Sequence, residues 1–173
     1  KKILFIIHRL GYGGAAKMLT FIANGLSERG YSVFIYTYED TVQHYKLNEN
    51  IKHMAEKKIS KTRAIRRFIQ VFQIKKVIKS IKPDVVISFL NNPNLLCILA
   101  TLFSKNPIII SERGDPYQGK GLFNKFRKIM YRFADGTVFQ TEGARNYFGK
   151  TIRDRSTIIP NPVTIKNKSQ PVL

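Results

Sequence analysis

The chain has 173 residues, and its 30 Lys and Arg residues outnumber 11 Asp and Glu residues, for a formal net charge of +19. This length suits one domain with a core, and 43% hydrophobic residues argue against general disorder. A single cysteine, Cys97, excludes a disulfide framework and a cysteine-rich metal site, so no metal is expected. No apolar run reaches the roughly 18 residues of a membrane span. The charge calls for an anionic partner: nucleic acid, anionic lipid or an anionic substrate.

Apolar runs alternate with helical patterns along the chain. Short apolar runs bounded by turn residues predict strands, and apolar residues recurring every three to four positions predict helices. The predicted strands cover residues 3–7, 33–37, 85–89, 108–111, 137–140 and 157–159, with a further short strand near 51–54. The predicted helices cover residues 15–29, 62–81, 94–104, 120–134 and 142–148.

Strands that alternate with helices require right-handed crossovers, which produce a parallel sheet covered on both faces. The sequence therefore predicts an α/β fold, a Rossmann-like doubly wound parallel sheet of six or seven strands, over residues 1–160. Residues 161–173 are polar and poorly patterned, which is typical of a linker toward a further domain. In such sheets ligands bind beyond the carboxyl ends of the strands.

A glycine-rich loop follows the first predicted strand. Gly11, Gly13 and Ala16 fit the dinucleotide fingerprint G-x-G-x-x-A, which favours an NAD-dependent enzyme. Two acids end the second predicted strand, where a ribose-binding acid would sit: Glu39 and Asp40. However, three residues separate the first strand from the first glycine, so we expect the helix to begin near Gly14. Backbone amides there could cradle a phosphate, or the loop could be a tight turn without a ligand.

Five segments follow one another in the order of a known family pattern. They are G-G-A at residues 13–15 with its helix, K-P-D-V-V-I-S at 82–88, P-I-I-I-S-E-R-G-D-P at 107–116, the unit at 134–142, and I-P-N-P-V at 159–163. Together they resemble glycosyltransferase family 4, the retaining enzymes of the GT-B fold. Those enzymes have two Rossmann-like domains that face each other across a cleft, and the likeness covers the N-terminal, acceptor-binding domain.

The resemblance implies a function for this domain as half of an enzyme. It would belong to a glycosyltransferase that moves a sugar from a nucleotide-sugar to a glycan or lipid-linked acceptor, and it would be inactive alone. The nucleotide-sugar donor would bind mainly to the missing C-terminal domain, so no cofactor is expected in this one. The resemblance also implies catalytic roles for Glu112, Arg113 and Asp115, and a donor-phosphate contact for Gly13, Gly14 and Ala15. The acceptor-binding residues would be His8, Arg9, Asn91, Asn92 and Arg113.

Two positions depart from the family pattern. Ala16 stands where the family often has Glu, and Arg113 stands where many members have a His that lines the reaction centre. In retaining transfer the leaving phosphate can take the acceptor proton, so Arg113 could instead bind an acceptor phosphate through two parallel hydrogen bonds. Glu112 and Asp115 could orient a hydroxyl or form a salt bridge with Arg113. The Asn residues at 91 and 92 could bind sugar hydroxyls, or Asn92 or Asn94 could cap the next helix.

The positive charge is concentrated in residues 57–82, which hold no acid and these ten cations: Lys57, Lys58, Lys61, Arg63, Arg66, Arg67, Lys75, Lys76, Lys79 and Lys82. On a helix, the apolar residues of this segment fall on two nearly opposite faces. One face holds Ile74, Val77, Ile78 and Ile81, which we assign to the core. The other holds Ile65, Phe68, Ile69 and Phe72. Either the helix bends near 70–73, or the second face contacts something outside the domain.

Phenylalanines beside cations are typical of an interfacial membrane anchor. The predicted membrane-facing residues are Arg66, Arg67, Phe68, Ile69, Phe72, Lys75 and Lys76. Helix 120–134 repeats the mixture, and we expect most of its apolar residues to pack on the sheet with cations around them. This predicts a cytoplasmic protein on the inner face of the plasma membrane. Nucleic-acid binding is an alternative use of the charge, but without helix-turn-helix, RNP or zinc-finger signatures we expect no specific nucleic acid partner.

Overall fold

The computed structural model describes residues 1–39, 42–57, 59, 61–118 and 121–161. Within these ranges seven parallel strands form one sheet: β1 (Lys2–Ile7), β2 (Ser32–Thr37), β3 (Lys52–Ala55), β4 (Val85–Phe89), β5 (Ile108–Ser111), β6 (Gly136–Phe139) and β7 (Ser156–Ile158). Their order in the sheet is β3-β2-β1-β4-β5-β6-β7. The predicted Rossmann-like sheet is confirmed. The predicted linker lies outside the described residues except for Asn161, and so does Asp40.

The helices lie on both faces of the sheet. They are α1 (Gly14–Glu28), α2 (Arg63–Ile81), α3 (Asn91–Thr101), α4 (Leu122–Met130), α5 (Glu142–Asn146) and α6 (Lys150–Arg153), with 3-10 turns at Pro116–Gln118 and Tyr131–Phe133. Helix α1 packs on one face with Ile3, Phe5 and Ile7 of β1, and α2, α3 and α6 pack on the other with Leu4 and Ile6. From Ile3 to Ile7 the strand is therefore buried on both faces, which explains its unbroken apolar run.

Helix α3 begins at Asn91, three residues before the predicted start. Leu90 occupies the N-cap position with φ 79°. Leucine rarely adopts a positive φ, so the sequence gives no signal for this helix start. The cap has no side-chain hydrogen bond, so neither of the two predicted capping residues, Asn92 and Asn94, caps the helix. Asn94 is instead fully buried and bonds to neighbouring strands.

Helix α2 is one continuous helix of 19 residues. It does not bend near residues 70–73, so its two apolar faces point in nearly opposite directions. Ile74 and Ile78 are buried in the core, whereas Phe68 and Phe72 are 66% and 55% exposed. The two phenylalanine rings pack on each other with centroids 4.7 Å apart. The predicted bend is therefore absent, and this face points away from the core.

Helix α4 contradicts the expectation that its apolar residues pack on the sheet. Leu122 is 82% exposed and Ile129 is 54% exposed, whereas Asn124 and Arg127 are buried together with Met130. The physical reason is that the buried Arg127 guanidinium reaches the carboxylate of Glu112 inside the domain. Once Arg127 faces inward, the helical period turns the apolar residues outward.

Cys97 lies in the core of α3 with no exposed surface. Burial raises the pKa of its thiol to about 12, which keeps it protonated at neutral pH. Cys97 is therefore a small buried hydrophobe rather than a reactive thiol.

The orientation of α2 predicts different outcomes for two matched isoleucines. Ile74→Ala should lower the free energy of unfolding by about 2–5 kcal/mol, because Ile74 is 0% exposed and its loss leaves a cavity. Ile65→Ala, the same change on the same helix at a 50% exposed position, should cost less than about 1 kcal/mol. Urea unfolding measures both. Equal losses at the two positions would contradict this orientation of the helix.

Candidate functional site

The carboxyl ends of the central strands surround a cavity of about 490 Å³, which we call the glycine-loop pocket. Its wall brings together most of the loops selected from the sequence: His8, Arg9, Gly11 to Ala16, Leu90, Arg113, Gln140 and Asn161. The pocket therefore lies where open parallel sheets bind their ligands.

The glycine loop forms one side of this pocket. Helix α1 begins at Gly14, as expected, and Gly13 adopts φ +151°, which L side chains rarely adopt. A Cβ on Gly13 or Gly14 would meet nothing within 4 Å, so the backbone angle rather than close packing favours glycine at position 13. No side chain caps the helix. The first N–H groups of α1, at residues lining the pocket, are thus available to an anion.

Arg113 forms the opposite side of the pocket. Its Nε donates to Ser111 Oγ at 2.7 Å and its Nη1 donates to Asn161 Oδ1 at 3.0 Å. The guanidinium carbon also lies 5.1 Å from the centre of the Phe89 ring. Gln140 Nε2 donates to the same Asn161 oxygen at 3.2 Å. These contacts hold a planar guanidinium at the wall of the cavity, and guanidinium groups are suited to binding phosphate.

Glu112, the residue before Arg113, points into the domain and is 1% exposed. The Tyr131 hydroxyl donates to its Oε2 at 2.7 Å, and Arg127 Nη1 lies 3.5 Å from the same oxygen. The Gly114 N–H donates to Oε1 at 3.3 Å. Burial raises the pKa of Glu112, against the opposing effects of Tyr131, Arg127 and the backbone N–H groups.

The structure corrects two expectations for Glu112. A carboxylate without exposed surface does not reach an acceptor, so the catalytic assignment does not fit this position. Its ion pair is formed with Arg127 rather than with Arg113. Glu112 therefore anchors the loop that carries Arg113, as a positioning residue.

The buried anchor continues into α3. With its amide nitrogen facing the carboxylate, Asn91 donates to both oxygens of Glu112, and its oxygen accepts from Arg127 Nη1 at 2.9 Å. Asn94 Nδ2 donates to Ser111 O at 3.2 Å and to Tyr131 Oη at 3.1 Å. This network joins α3, β5 and the turn after α4 beneath the glycine-loop pocket.

Sequence reasoning missed three members of this network: Asn94, Arg127 and Tyr131. Arg127 stands among exposed apolar residues in a basic helix, so composition predicts a solvated cation there. The available signal for this network is Glu112, an acid directly after an apolar strand. A carboxylate buried there needs a partner, and that need points to a buried cation.

Of the other predicted residues, His8 lines the glycine-loop pocket, whereas Asp115 and Asn92 do not. Asp115 is exposed, and its Oδ1 accepts from the Tyr117 N–H at 2.9 Å, which shapes the loop. His8 pairs with Glu39 through its Nε2 and stacks on Tyr38 with ring centroids 5.1 Å apart. Asn92 is exposed and accepts a hydrogen bond from Arg67 Nη2 at 3.3 Å.

Two further depressions adjoin the glycine-loop pocket. The arginine pocket, about 550 Å³, lies beside it and is lined by residues that include His8, Arg9, Glu39, Arg63, Arg66 and Arg67. The apolar groove, about 610 Å³, runs between α2, α3 and α4 and is lined by residues that include Phe68, Phe72, Leu99, Phe103, Phe123 and Phe126. Within the described ranges no three His, Cys, Asp or Glu residues are grouped as for a metal ion, and no helix there has the length and apolarity to span a bilayer.

The buried pair predicts a strong effect of removing Arg127 alone. Arg127→Met should lower the free energy of unfolding by about 3–5 kcal/mol at neutral pH, because Glu112 stays buried without its cation. The loss should shrink as the pH falls, since the pKa of Glu112 is raised and protonation removes the buried charge. Urea unfolding at several pH values measures this.

The double variant E112Q/R127M should lose less than R127M, because no buried charge remains. Arg132→Met, at an exposed cation on the next turn, should stay within about 0.5 kcal/mol of the unaltered chain. An R127M loss below 1 kcal/mol, or an equal loss in the double variant, would count against the buried pair.

Comparison with known proteins identifies the family. The model of Glycosyltransferase Family 4 matches residues 12–167. A relative from Campylobacter jejuni is 30% identical over 166 residues, which are 93% of this chain and 46% of that protein. It is the GalNAc-alpha-(1->4)-GalNAc-alpha-(1->3)-diNAcBac-PP-undecaprenol alpha-1,4-N-acetyl-D-galactosaminyltransferase.

Two solved structures share the fold. The lipopolysaccharide outer core galactosyltransferase WaaB, in its apo form, matches with a TM-score of 0.72 and 19% identity over 96% of this chain and 47% of that one. HepE from Anabaena in complex with UDP matches with a TM-score of 0.71 and 14% identity over 99% of this chain and 47% of that one. The chain thus spans about half the length of the relatives it matches. With the fold of one half of a GT-B enzyme, and a family match over most of its length, the chain belongs to glycosyltransferase family 4.

Proposed function

We propose that the chain is the N-terminal, acceptor-side domain of a retaining glycosyltransferase that moves a sugar from a nucleotide-sugar to a glycan or lipid-linked acceptor. The observation that carries this proposal is that the family 4 match, over residues 12–167, includes most of the residues that line the glycine-loop pocket, from Gly13 to Asn161. The Campylobacter jejuni relative is named for a saccharide on undecaprenol diphosphate, which supports a lipid-linked acceptor. The same family match favours sugar transfer over the dinucleotide chemistry that the glycine pattern also allowed.

In this proposal the glycine-loop pocket holds the reacting groups. In retaining transfer the bond from the sugar to the acceptor oxygen forms on the face from which the phosphate departs, and the departing phosphate takes the acceptor proton. The protein then has to hold a phosphate and orient a hydroxyl, without supplying a strong base. Arg113 binds a phosphate oxygen, and the amides of the glycine loop contact the donor phosphate. Gly14 and Ala15 supply these N–H groups, because the Gly13 N–H donates to Tyr45 Oη at 3.4 Å.

The acceptor enters on the side of His8 and Arg9. These residues follow β1, line the same pocket, and carry the polar groups that a saccharide or its phosphate needs. The donor binds mainly to a C-terminal domain across the cleft, so the chain alone does not transfer sugar. Asp115 lies on an exposed loop near Arg113 and can orient a hydroxyl from there.

We place the domain on the cytoplasmic face of the plasma membrane, bound to its anionic surface. One layer of helices exposes large apolar side chains: Phe68, Phe72, Phe103, Leu122, Phe126 and Ile129. Exposed cations stand among them, including Lys75, Lys76 and Lys125. Such a mixture matches an anionic bilayer, where each basic residue contributes about 1 kcal/mol.

Only part of the membrane-facing set drawn from the sequence lies on this surface. Phe68, Phe72 and Lys75 line the apolar groove, and Lys76 is exposed. Arg66 and Ile69 are half-buried, and Arg66 turns into the arginine pocket. The larger apolar contribution comes from α4, which the sequence assigned to the core.

The proposed role of Arg113 is tested on the intact protein that contains this chain. With a nucleotide-sugar donor and a prenyl-diphosphate-linked saccharide, product is measured as a mass increase of one sugar. Arg113→Gln should lower kcat/KM by roughly tenfold to a hundredfold, because charge-assisted hydrogen bonds to a phosphate are lost. Arg29→Gln, at an exposed cation after the far end of α1, should leave it unchanged. Unchanged kcat/KM in R113Q would overturn its role, and no product with any donor would overturn the proposed function.

Membrane binding predicts a dependence on lipid charge and on α4. The chain should sediment with phosphatidylglycerol vesicles at low salt, and less with phosphatidylcholine vesicles or at high salt. F126S/I129S should reduce sedimentation severalfold, because two exposed apolar side chains are lost. Phe21→Ser removes a 64% exposed phenylalanine from α1 on the other face and should have no effect. Equal recovery with both lipids would contradict the proposal.

A further inference from the structure

Four arginines converge on the arginine pocket. Arg9 comes from the loop after β1, and Arg63, Arg66 and Arg67 come from the first turns of α2. The acid in the wall, Glu39, is paired with His8. Four arginines against one acid leave the cavity of about 550 Å³ with an excess of positive charge, and its volume suffices for more than one phosphate group.

This charge is not balanced by the part of the chain that the structure describes. Positions 63, 66 and 67 are spaced i, i+3 and i+4, so their side chains are neighbours on one helix face, where like charges repel. Helix α2 contains no acid, and in the described ranges Arg9, Arg63 and Arg66 form no ion pair with an acid. A bound anion would remove this repulsion.

The cations of α2 differ in kind along the helix. Its first two turns carry arginines at the pocket, and its second half carries Lys75, Lys76 and Lys79. Guanidinium groups bind phosphate oxygens in a planar, two-pronged manner, whereas ammonium groups act as strongly hydrated point charges. The arginine pocket is thus suited to bound phosphate, and the lysine half is suited to a diffuse anionic surface.

The neighbours of the pocket indicate what else the ligand carries. The arginine pocket shares His8 and Arg9 with the glycine-loop pocket. It shares Arg67, Asn92 and Leu96 with the apolar groove. A ligand lying across the three sites would be polar at one end, anionic in the middle and apolar at the other end.

We propose that the arginine pocket binds the diphosphate of a prenyl-diphosphate-linked acceptor, whose first isoprene units lie in the apolar groove and whose saccharide points to the glycine-loop pocket. This inference rests on the proposed function, which supplies the saccharide end. The binding itself needs no donor and no second domain. It can therefore be measured separately from sugar transfer.

The test uses isothermal titration calorimetry on the 173-residue chain, whose sheet carries a core on each face. Inorganic pyrophosphate should bind, and farnesyl diphosphate should bind at least about tenfold more tightly, because its hydrocarbon leaves water. R63Q/R66Q should weaken both ligands by roughly tenfold per arginine. K76Q/K79Q removes the same charge from the same helix outside the pocket and should leave both affinities unchanged.

Two further variants separate charge from geometry and from the groove. R63K/R66K keeps the charge but loses the planar fork, so its affinity for pyrophosphate should fall between that of the unaltered chain and that of R63Q/R66Q. F68S/F72S should abolish the advantage of farnesyl diphosphate while keeping pyrophosphate affinity, because both rings line the groove.

Several outcomes would overturn the inference. They are pyrophosphate binding that R63Q/R66Q does not weaken, a farnesyl advantage that survives F68S/F72S, and UDP binding to the same arginines as tightly as farnesyl diphosphate. The last result would make the pocket a nucleotide site. If the binding results hold and the intact protein transfers no sugar, the pocket assignment stands and the proposed function fails.

Discussion

The buried pair of Glu112 and Arg127 is the interaction on which the rest of this domain depends. Removing two charges from water is costly, and the pair is stable only because further donors satisfy the carboxylate. Tyr131 and Gly114 supply two of them, and Asn91 supplies another. One ion pair thereby connects the end of β5, the start of α3 and the buried face of α4.

The Glu112–Arg127 pair has two consequences, one toward the cleft and one toward the outer surface of the domain. Toward the cleft, the anchored carboxylate fixes the backbone next to Arg113, so that its guanidinium stands at the wall of the glycine-loop pocket. Toward the outside, Arg127 occupies the inner face of α4 and forces Leu122, Phe126 and Ile129 into solvent. The polar core of the domain and its apolar surface are therefore two results of the same contact.

The sequence predicted what local patterns determine and missed what tertiary contacts decide. Every strand in the described residues was predicted, and the central ones are the clearest because residues buried on both faces leave continuous apolar runs such as that of β1. The edge strands β3 and β7 are only partly buried. For α2 the sequence left two alternatives, a bend or an outward apolar face, because its phenylalanines and its core isoleucines fall on opposite faces. The start of α3 was misplaced, because the positive φ of Leu90 has no sequence signal. The predicted orientation of α4 was wrong. Periodicity shows that a helix has two different faces, but it does not show which face carries a charge that pairs inside the domain.

Under the membrane role proposed above, the distribution of charge over the fold explains how a site in water reaches a substrate held in a membrane. In a crossover helix the N-terminus lies near the carboxyl edge of the sheet, so the arginines of α2 stand beside the cleft and its lysines lie farther from it. Evenly spread cations would attract the domain to an anionic bilayer in any orientation. An apolar surface on only one helical layer, with exposed lysines beside it, favours one orientation. In that proposed orientation the apolar groove faces the lipid, and the arginine pocket lies between the groove and the glycine-loop pocket. On this proposal the position of the excess of +19 matters more than its size.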